Sequence, residues 1–515
     1  MAQPFFAQHK DLKSFEITGI IKDKSTLLPL QGAKISLAKN KTTSITDQKG
    51  KFSISVSSIS NPFLKDSLVI RHNKYWDRKI EITSLNPSSL NILLEAKKQR
   101  LIVTTDLGGA DPDDIQSMIH LLTLSNEIDI EGLISSLAWV DNVLGVNQIE
   151  SIIKVYGEVE SNLKIHDKDY PSYEYLKSII KPGQLKSRMF GVGKGKDSPG
   201  SELIIASIDK ESDARPIWLN AWGGMNTIAQ ALWKIKETRT TDEVNRFIRK
   251  IRIYDVLGQD DAGAWIASAF PDIIYIRNKH IYGWAPSDDW TKKNIQTQGP
   301  LGAIYPNRIW ATEGDSPAFL YLYPNGLNNP ENLDYGGWGG RFNTTKTSGI
   351  RGMDFVKKSG VNESDYDSYF MYTNSHEGSE AINKWKHHIW NNFATRMIWT
   401  ITDKYEEANH HPIISLNGDY TKQVVEYTVK KSSSIQLNAN NSTDPDGDKL
   451  SYKWFFYKEP SSYIGNVSLK NCESTICEVK IPPDASGKTI HIILEVSDSG
   501  KPSLTSYRRI IIHVK

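Results

Sequence analysis

The alternation of apolar and polar positions divides the chain into three regions. In the first, residues 15–97, short runs alternate with a period of two, and turn residues separate them. These runs cover residues 16–21, 33–37, 51–56, 67–70 and 79–82. A period of two is typical of strands with one buried face. We therefore predict a small β-sandwich for this region.

The second region begins after a basic stretch that ends at Arg100 and has a different rhythm. Predicted strands cover residues 101–104, 128–134, 217–220, 251–256 and 273–276. Predicted helices lie between or after them, at residues 114–124, 146–156, 226–235 and 262–269. Strands that alternate with helices indicate a parallel sheet. Residues 100–405 are therefore predicted to form one α/β domain.

The third region follows a helix predicted to end near residue 405. Strand-like runs at residues 424–429, 434–437, 450–456 and 491–496, with a turn at 441–448 rich in Asp, Gly and Pro, are typical of an Ig-like or polycystic-kidney-disease-like sandwich. Residues 410–515 are assigned to it. The pattern as a whole predicts a multidomain protein: a central α/β domain with a mainly parallel sheet, flanked by N-terminal and C-terminal β-sandwiches.

Composition excludes several classes of partner. The chain has 62 basic and 60 acidic residues, so its net charge of +2 gives no field that would attract nucleic acid. No run reaches the roughly 18 apolar residues that a membrane span requires. The 14 tryptophans and 22 tyrosines are a generous supply of flat faces against which sugar rings stack, although ordinary core use explains any single one as well.

The N-terminus and the cysteines bear on the compartment. Residues 1–15 lack the pattern of a signal peptide, and Ala2 and Gln3 after Met1 resemble a mature N-terminus. We therefore expect a secreted, periplasmic or cell-surface protein of a bacterium whose signal peptide has been removed. Cys472 and Cys477 are the only cysteines, so disulfides are not the main source of stability, and the sequence leaves open whether these two pair.

The strongest chemical signal is the segment LIVTTDLGGADPDD at residues 101–114. An apolar strand leads through a glycine turn into a helix, and four carboxylates lie where ligands bind in open α/β sheets. Carboxylates so close together repel one another unless a cation or protons offset their charge, and oxygen ligands favour calcium. Ordinary helix capping by Asp111, with Asp113 and Asp114 in the first turn, explains the spacing equally well.

This segment resembles the first motif of the nucleoside hydrolase family. Two further segments resemble that family in the same order, WGGMNTIA at 222–229 and EGDSPAFL at 313–320. The resemblance implies a calcium site formed by Asp106, Asp114, Asp315 and the Trp222 carbonyl. It also implies that Asp106 is the base that activates water and that Asp113 binds sugar hydroxyls.

The sequence departs from that family at several positions. The first Asp of the strand motif is Thr104 here, the turn is longer by residues 109–111, and Gly314 stands where the family has a His. Clear equivalents of the Glu and Asn that bind the nucleoside ribose are missing from the sequence. A plain nucleosidase is therefore disfavoured.

A closer resemblance extends from about residue 100 to the C-terminus. It is to a bacterial and fungal family that pairs a nucleoside hydrolase-like domain with a C-terminal β-sandwich and is often described as cellulose-binding. The residues that carry it are LTLSNEIDIEGL at 122–133, GQDDAGAW at 258–265, NGLNN at 325–329 and GWGGRF at 337–342. At the N-terminus, ITGII at 17–21, PLQGA at 29–33 and TDQKGKF at 46–52 resemble a carboxypeptidase regulatory-like domain.

Further residues are candidates for substrate contacts. They are Asn226, Asp260 and Asp261, with helix capping an equal alternative for the last two, and Trp338 and Arg341 as a stacking platform and a clamp. Glu313 and Glu377 are candidates for the general acid that a sugar leaving group needs, and Glu313 is preferred because it neighbours Asp315.

Three functions remain open at this point. The first is a calcium-dependent glycoside hydrolase that acts on a polysaccharide-derived glycan, with oligosaccharide or polysaccharide as its partner. The second is a carbohydrate-binding or cellulose-binding protein that retains the metal without turnover. The third is a nucleoside N-ribohydrolase. Neither the sugar, the stereochemical outcome nor the oligomeric state follows from the sequence.

Overall fold

The computed structural model describes residues 14–38, 42–57, 66–82, 89–109, 111–138, 140–353 and 362–515. The chain divides into two compact units. The first contains the residues up to Lys97 together with Glu211–Arg215, and the second contains Lys98–Lys210 and Pro216–Lys515.

The first unit consists of two β-sheets around one apolar core. In the described residues one sheet has the order β4-β1-β7 and the other β3-β2-β5-β6. Ile21, Ile35, Leu68 and Ile70 are fully buried between them. The strands are β1 (Ser14–Asp23), β2 (Lys34–Leu37), β3 (Thr43–Ile45), β4 (Lys51–Ser57), β5 (Asp66–His72), β6 (Tyr75–Ile82) and β7 (Ser89–Leu94).

The second unit is built on a sheet with the order β10-β9-β8-β11-β12-β13-β15-β14 in the part of the chain that the structure describes. Its strands are β8 (Arg100–Thr105), β9 (Asp129–Ser135), β10 (Ile180–Pro182), β11 (Ile217–Ala221), β12 (Ile251–Val256), β13 (Ile274–Asn278), β14 (Thr347–Ser348) and β15 (Phe370–Thr373). All neighbours are parallel except β14 and β15. The predicted parallel sheet is confirmed.

Helices cover both faces of this sheet. Side chains on either face of a strand are therefore buried, and its sequence does not alternate between polar and apolar residues. In β8, Leu101 and Val103 pack into the core on one face, and Ile102 packs into the core on the other. The helices are α1 (Asp113–Thr123), α2 (Val146–His166), α3 (Tyr173–Ser178), α4 (Pro199–Asp209), α5 (Asn226–Thr238), α6 (Thr241–Ile248), α7 (Ala262–Ala269), α8 (Asp288–Thr291), α9 (Gly299–Ala303), α10 (Ser316–Leu320), α11 (Glu380–Asn383) and α12 (Lys386–Trp399).

A C-terminal β-sandwich completes the second unit. Its sheets have the orders β16-β22-β21-β18 and β17-β20-β19. The strands are β16 (Val425–Val429), β17 (Ser434–Asn438), β18 (Ser451–Tyr457), β19 (Ser468–Lys470), β20 (Ile476–Lys480), β21 (Thr489–Ser497) and β22 (Thr505–Val514). Cys472 and Cys477 are unpaired. The predicted fold class, a central α/β domain with β-sheet regions at both ends, is confirmed.

Strand β22 docks the sandwich onto the glycine-rich loops of the α/β domain. The buried Arg509 guanidinium donates to the carbonyls of Leu327, at 2.9 and 3.1 Å, and Gly336, at 2.9 Å. The Tyr507 amide donates to the Asn325 carbonyl. These loops therefore build a domain interface. Among the described residues, no helix is long and apolar enough to span a membrane.

Candidate functional site

The candidate site lies at the point where the chain changes direction across the sheet. Strand β8 has β9 on one side and β11 on the other, so the chain builds the sheet outward in both directions from β8. Asp106 directly follows β8, and Trp222 directly follows β11. The carboxyl ends of such strands leave a crevice between their diverging loops, and ligands bind there.

A cavity of about 330 Å³ opens at this crevice. Its polar lining consists of Asp106, Asp111, Asp113, Asp114, Asp315 and Gln259, and its apolar lining includes Trp222, Ile281, Tyr282, Trp310 and Met353. The carboxyl ends of β8, β11, β12 and β13 all contribute residues or the loops that follow them. The structure thus brings Asp315 to four carboxylates of residues 106–114, about 200 residues earlier in the sequence.

Three of the carboxyl groups form a close cluster. Asp113, Asp114 and Asp315 each offer an oxygen, and these oxygens all lie within 4.8 Å of one another. Asp113 and Asp114 begin α1, whose N-cap is Pro112, and Asp315 immediately precedes α10; neither helix start has a side-chain capping hydrogen bond. Asp111 is not the N-cap residue itself, but its carboxylate is hydrogen-bonded to the Asp113 backbone in the first turn of α1.

Local contacts hold the cluster in place. The Thr105 hydroxyl, at the end of β8, donates to Asp114 Oδ1. Asp106 is only partly exposed, and Gly223 packs so closely on it that an added Cβ would be 2.4 Å from Asp106 Oδ1. The glycines of the second motif thus allow the loop after β11 to approach the carboxylate of the first.

Burial and mutual repulsion raise the pKa of every acid in this group. Burial, with the charge of Asp113 added, raises the pKa of Asp106 to about 7. Burial and the charge of Asp114 raise the pKa of Asp113 to about 8. The pKa values of Asp114 and Asp315 lie well above the usual range for the same two reasons. In the described lining of the cavity, no side chain carries a positive charge that would offset them.

This donor set fits a hard divalent cation. Clustered carboxylate oxygens without a basic neighbour are the chemistry of calcium sites, since each additional carboxylate strengthens the attraction for the ion. The Trp222 carbonyl accepts a hydrogen bond from the Gln259 side chain at the same crevice. A carbonyl oxygen has two lone pairs, so this bond leaves one available.

Glu313 lies outside the cavity, although it neighbours Asp315. Its carboxylate is buried and binds His120 Nδ1, at 2.6 Å, and the Tyr305 hydroxyl, at 2.7 Å. The Ser316 hydroxyl donates to it as well. The expectation of a free general acid therefore does not fit, because this carboxylate is the centre of an internal polar network beneath the site.

Asn226, Asp260 and Asp261 are also buried and do not line the cavity. Asp260 accepts from the amides of Met225 and Ala262, at 2.9 and 3.0 Å, so it fixes the starts of α5 and α7. Asn226 bonds the Ser136 hydroxyl and the Lys186 carbonyl, and Asp261 accepts from the Met189 amide. Asp260 therefore has the helix-capping role that was the alternative to substrate binding.

Trp338 and Arg341 are placed away from the cavity. Trp338 is fully buried in the glycine-rich loop, where its indole N–H donates to the Tyr507 hydroxyl of β22. Arg341 is buried and paired with Glu377, which also binds Lys384. The expectation that Trp338 forms a sugar platform and Arg341 a clamp is therefore corrected. Glu377 is not a free acid either. These residues support the domain interface.

Two aromatic residues of the site were missed in the sequence. Trp310 and Tyr282 line the cavity beside the acids, and they are 70% and 45% exposed. Tyr282 follows β13 by four residues, so its position after a buried strand was the available signal. Trp310 lies in a loop without periodicity, and nothing local distinguishes it from the other tryptophans.

Comparisons with known proteins agree with this architecture. Residues 100–342 match the family model described as cellulose-binding Sde182, nucleoside hydrolase-like domain. Residues 434–514 match that of the cellulose-binding protein Sde0182, C-terminal domain. No curated protein is significantly similar to the chain.

Solved structures give one extensive match. A nucleoside hydrolase-related hypothetical protein from Saccharophagus degradans, described as associated with carbohydrate metabolism, is 45% identical, with a TM-score of 0.77 over 81% of this chain and 100% of that one. The PKD domain of the KIAA 1837 protein is 23% identical over 18% of this chain and 80% of its own, with a TM-score of 0.14, which is too low to bear on the fold.

The N-terminal resemblance to carboxypeptidase regulatory-like domains stays a prediction, since neither matched segment includes residues 15–97. The Saccharophagus structure covers 81% of the chain at 45% identity. The chain therefore belongs to the family of nucleoside hydrolase-related proteins in which a nucleoside hydrolase-like domain of the Sde182 type is followed by a C-terminal domain of the Sde0182 type.

Proposed function

We propose that this protein is a calcium-dependent glycoside hydrolase that acts on a polysaccharide-derived glycan. The observation that carries the proposal is the cavity itself, in which exposed Trp310 and Tyr282 flank a buried cluster of carboxylates. Acids supply a metal site and a base, and aromatic faces bind sugar rings. The family's descriptions as cellulose-binding and as associated with carbohydrate metabolism support a glycan over a nucleoside.

The carboxylates divide into two roles. Asp114 and Asp315 would hold the calcium ion together with Asp106 and the Trp222 carbonyl. Asp113, which shares their cluster, would accept hydrogen bonds from sugar hydroxyls. A bound calcium ion would chelate hydroxyls, position the attacking water and lower its pKa.

Asp106 is the base in this proposal. Its partial exposure gives a water molecule access, whereas Asp114 and Asp315 are buried. An Asp106 carboxylate removes a proton from the attacking water as the sugar develops oxocarbenium character and the glycosidic bond breaks.

A sugar leaving group also needs a proton, and Asp111 is the carboxyl placed to supply it. It lines the same cavity as the catalytic acids, whereas Glu313 and Glu377 are held in internal networks. It belongs to the three-residue extension of the turn, which the nucleoside hydrolases lack. Nucleobases are better leaving groups than sugars, so an added acid is consistent with a change from nucleosides to glycans.

A second candidate is carbohydrate binding without turnover. The descriptions of both matching families as cellulose-binding favour it. In that case the same cation would chelate sugar hydroxyls, and Asp106 would have no catalytic role. Binding would then depend on calcium but would survive the loss of the base.

Release of sugar from a panel of plant and algal oligosaccharides, with nucleosides included, distinguishes the candidates. The assay compares calcium with a chelator, and wild type with Asp106→Asn. The control variant is Asp403→Asn, which removes an exposed carboxyl outside the cavity. We expect turnover that is lost with the chelator and with Asp106→Asn, and retained in the control. Calcium-dependent binding without turnover of any compound would contradict the hydrolase and favour the second candidate.

A further inference from the structure

A second acidic group lies in the C-terminal sandwich, far along the chain from the cavity. Asp444, Asp446 and Asp448 occupy one turn, and each offers an oxygen within 4.8 Å of the others. Asp444 Oδ1 accepts from the amides of Asp446, at 2.9 Å, and Asp448, at 3.1 Å, and this shapes the turn. Asp444 Oδ2 is buried and has no hydrogen-bond partner within the described chain.

A fourth carboxylate from another loop supplies an independent observation. Asp498 follows β21 and is only 5% exposed. Its Oδ1 accepts from the Asn409 side chain and from the amides of Gly500 and Leu504, at 2.9 to 3.0 Å. Its Oδ2 is buried and finds no donor among the residues that the structure describes. The next residue, Ser499, donates through its hydroxyl to Asp448 Oδ1 at 2.9 Å, so the loop that carries Asp498 faces the acidic turn.

A buried carboxylate oxygen without a donor is unfavourable, and both Asp444 and Asp498 have one. Loss of hydrogen-bonding water must be offset by a proton or by a cation. Among the residues that the structure describes, the only basic side chain paired with this group is that of His410, which binds Asp446 Oδ1 at 2.8 Å. One imidazole does not balance four carboxylates.

We propose that Asp444, Asp446, Asp448 and Asp498 form a second calcium site, separate from the cavity. The donors are all carboxylate oxygens from a short turn and a facing loop, which suits the size and the hard character of Ca²⁺. Extracellular calcium modules of this kind bind with dissociation constants of about 0.1–1 mM.

The site would fix the segment that leads into the sandwich. The His410 amide donates to Asp446 Oδ2 at 2.6 Å, and Asn409 donates to Asp498. The His410 ring also stacks on Tyr405, with ring centroids 3.7 Å apart. A cation that holds Asp446 and Asp498 in place therefore holds the connection between the α/β domain and the sandwich.

Calcium titration of the full chain tests the proposal, with stoichiometry measured by equilibrium dialysis up to about 10 mM total calcium, well above the expected dissociation constant. The test variant is Asp498→Asn, because its Oδ1 can keep accepting the three hydrogen bonds while the charge is lost. Asp448→Asn is a second variant in a more exposed position. Asp484→Asn removes an exposed carboxyl of the same sandwich and serves as the matched control.

We expect both test variants to bind one calcium ion fewer per chain than wild type, and the control to bind as wild type does. In Asp315→Asn, which alters the cavity, the sandwich ion should remain. The proposal would be overturned if both test variants bound as many calcium ions as wild type. It would also be overturned if Asp315→Asn bound no calcium at all. A wild type that binds only one ion, lost in Asp498→Asn, would support this site and contradict the one in the cavity.

Discussion

A Cβ atom added to Gly314 would stand only 2.5 Å from Asp113 Oδ2. Gly314 belongs to the motif at residues 313–320, and Asp113 lies in the first turn of α1. Because glycine has no side chain, the two residues can lie this close together. Nucleoside hydrolases have a His at the position of Gly314. The substitution by glycine therefore gives the Asp113 carboxyl space that a side chain would occupy, and this supports the proposal of a glycan substrate.

Gly314→Ala is expected to displace the Asp113 carboxyl without unfolding the domain. The new methyl group cannot be accommodated at 2.5 Å, and the carboxyl end of Asp113 is the part that can move. We expect the affinity for glycan to fall about tenfold or more, which corresponds to about 1.4 kcal/mol. Gly157→Ala, in α2 and outside the cavity lining, is the control, since its Cβ would approach no atom closer than 3.1 Å. Unchanged affinity in Gly314→Ala would refute the role of Asp113.

Sequence patterns predicted the architecture better than the site. The parallel sheet followed from buried strands such as residues 101–105, because period and order along the chain are local properties. The family resemblance predicted a calcium site of Asp106, Asp114, Asp315 and the Trp222 carbonyl, and in the structure Asp113 is the third member of the close cluster while Asp106 lines the same cavity. Trp338 was expected to contact a sugar, because an aromatic residue in a glycine-rich loop has the same sequence signature whether it faces a ligand or another domain. Only the docking of Tyr507 against it decides the matter.

The chelated protein is expected to lose stability as the pH rises from about 4 to 8. Burial and repulsion raise the pKa of Asp106 to about 7 and that of Asp113 to about 8, whereas an unfolded Asp has a pKa of about 3.9. In this window the folded state binds more protons than the unfolded state, so the free energy of unfolding falls as pH increases. A calcium ion at the proposed site would replace the protons and offset the loss.

Thermal unfolding measured at a series of pH values, with calcium and with chelator, checks this expectation. The stabilisation by calcium should grow with pH, and it should shrink in Asp106→Asn. Asp403→Asn, which removes an exposed carboxyl outside the cavity, should keep the pH-dependent part. A chelated protein whose melting temperature is constant between pH 5 and 8 would show that the acids are not protonated in the folded state.

Asp111→Asn is expected to reduce turnover according to the leaving group. A general acid contributes about 100-fold to 10,000-fold when the leaving oxygen is basic and little when it is not. We therefore expect a large decrease in kcat for an oligosaccharide and a small decrease for the corresponding 4-nitrophenyl glycoside. Glu313→Gln is the comparison, because that carboxylate is buried in the His120 network. Equal losses on both substrates in Asp111→Asn would exclude proton donation by this residue.

Trp310→Ala is expected to weaken substrate binding and to leave the fold unchanged. The side chain is 70% exposed, so its removal opens no core cavity. Loss of one stacking face costs about 0.5–1.5 kcal/mol, which predicts a KM that is up to about tenfold higher with a similar kcat. The neighbouring Ile309 is 61% exposed but does not line the cavity, so Ile309→Ala is the matched control. The same KM in Trp310→Ala and wild type would remove this residue from the sugar site.

Arg509→Met is expected to loosen the C-terminal sandwich without impairing hydrolysis of small substrates. The guanidinium is fully buried, and its hydrogen bonds hold the carbonyls of Leu327 and Gly336. Methionine fills a similar apolar volume but leaves these carbonyls without donors, at a cost of about 1.5–3 kcal/mol for hydrogen bonds to a charged group. Since none of these residues lines the cavity, activity on a short glycoside should stay near wild type.

Calorimetry separates the effect of Arg509→Met on docking from a general loss of stability. A weakened interface should let the sandwich unfold in a transition of its own at a lower temperature, while the α/β domain melts later. Lys501→Met, at an exposed position of the same sandwich, should keep the wild-type profile. If Arg509→Met shows the wild-type profile too, the buried guanidinium does not couple the two domains. The sandwich would then be held by its other contacts, among them the Tyr507 hydroxyl, which is hydrogen-bonded to Trp338 and to His388 of the α/β domain.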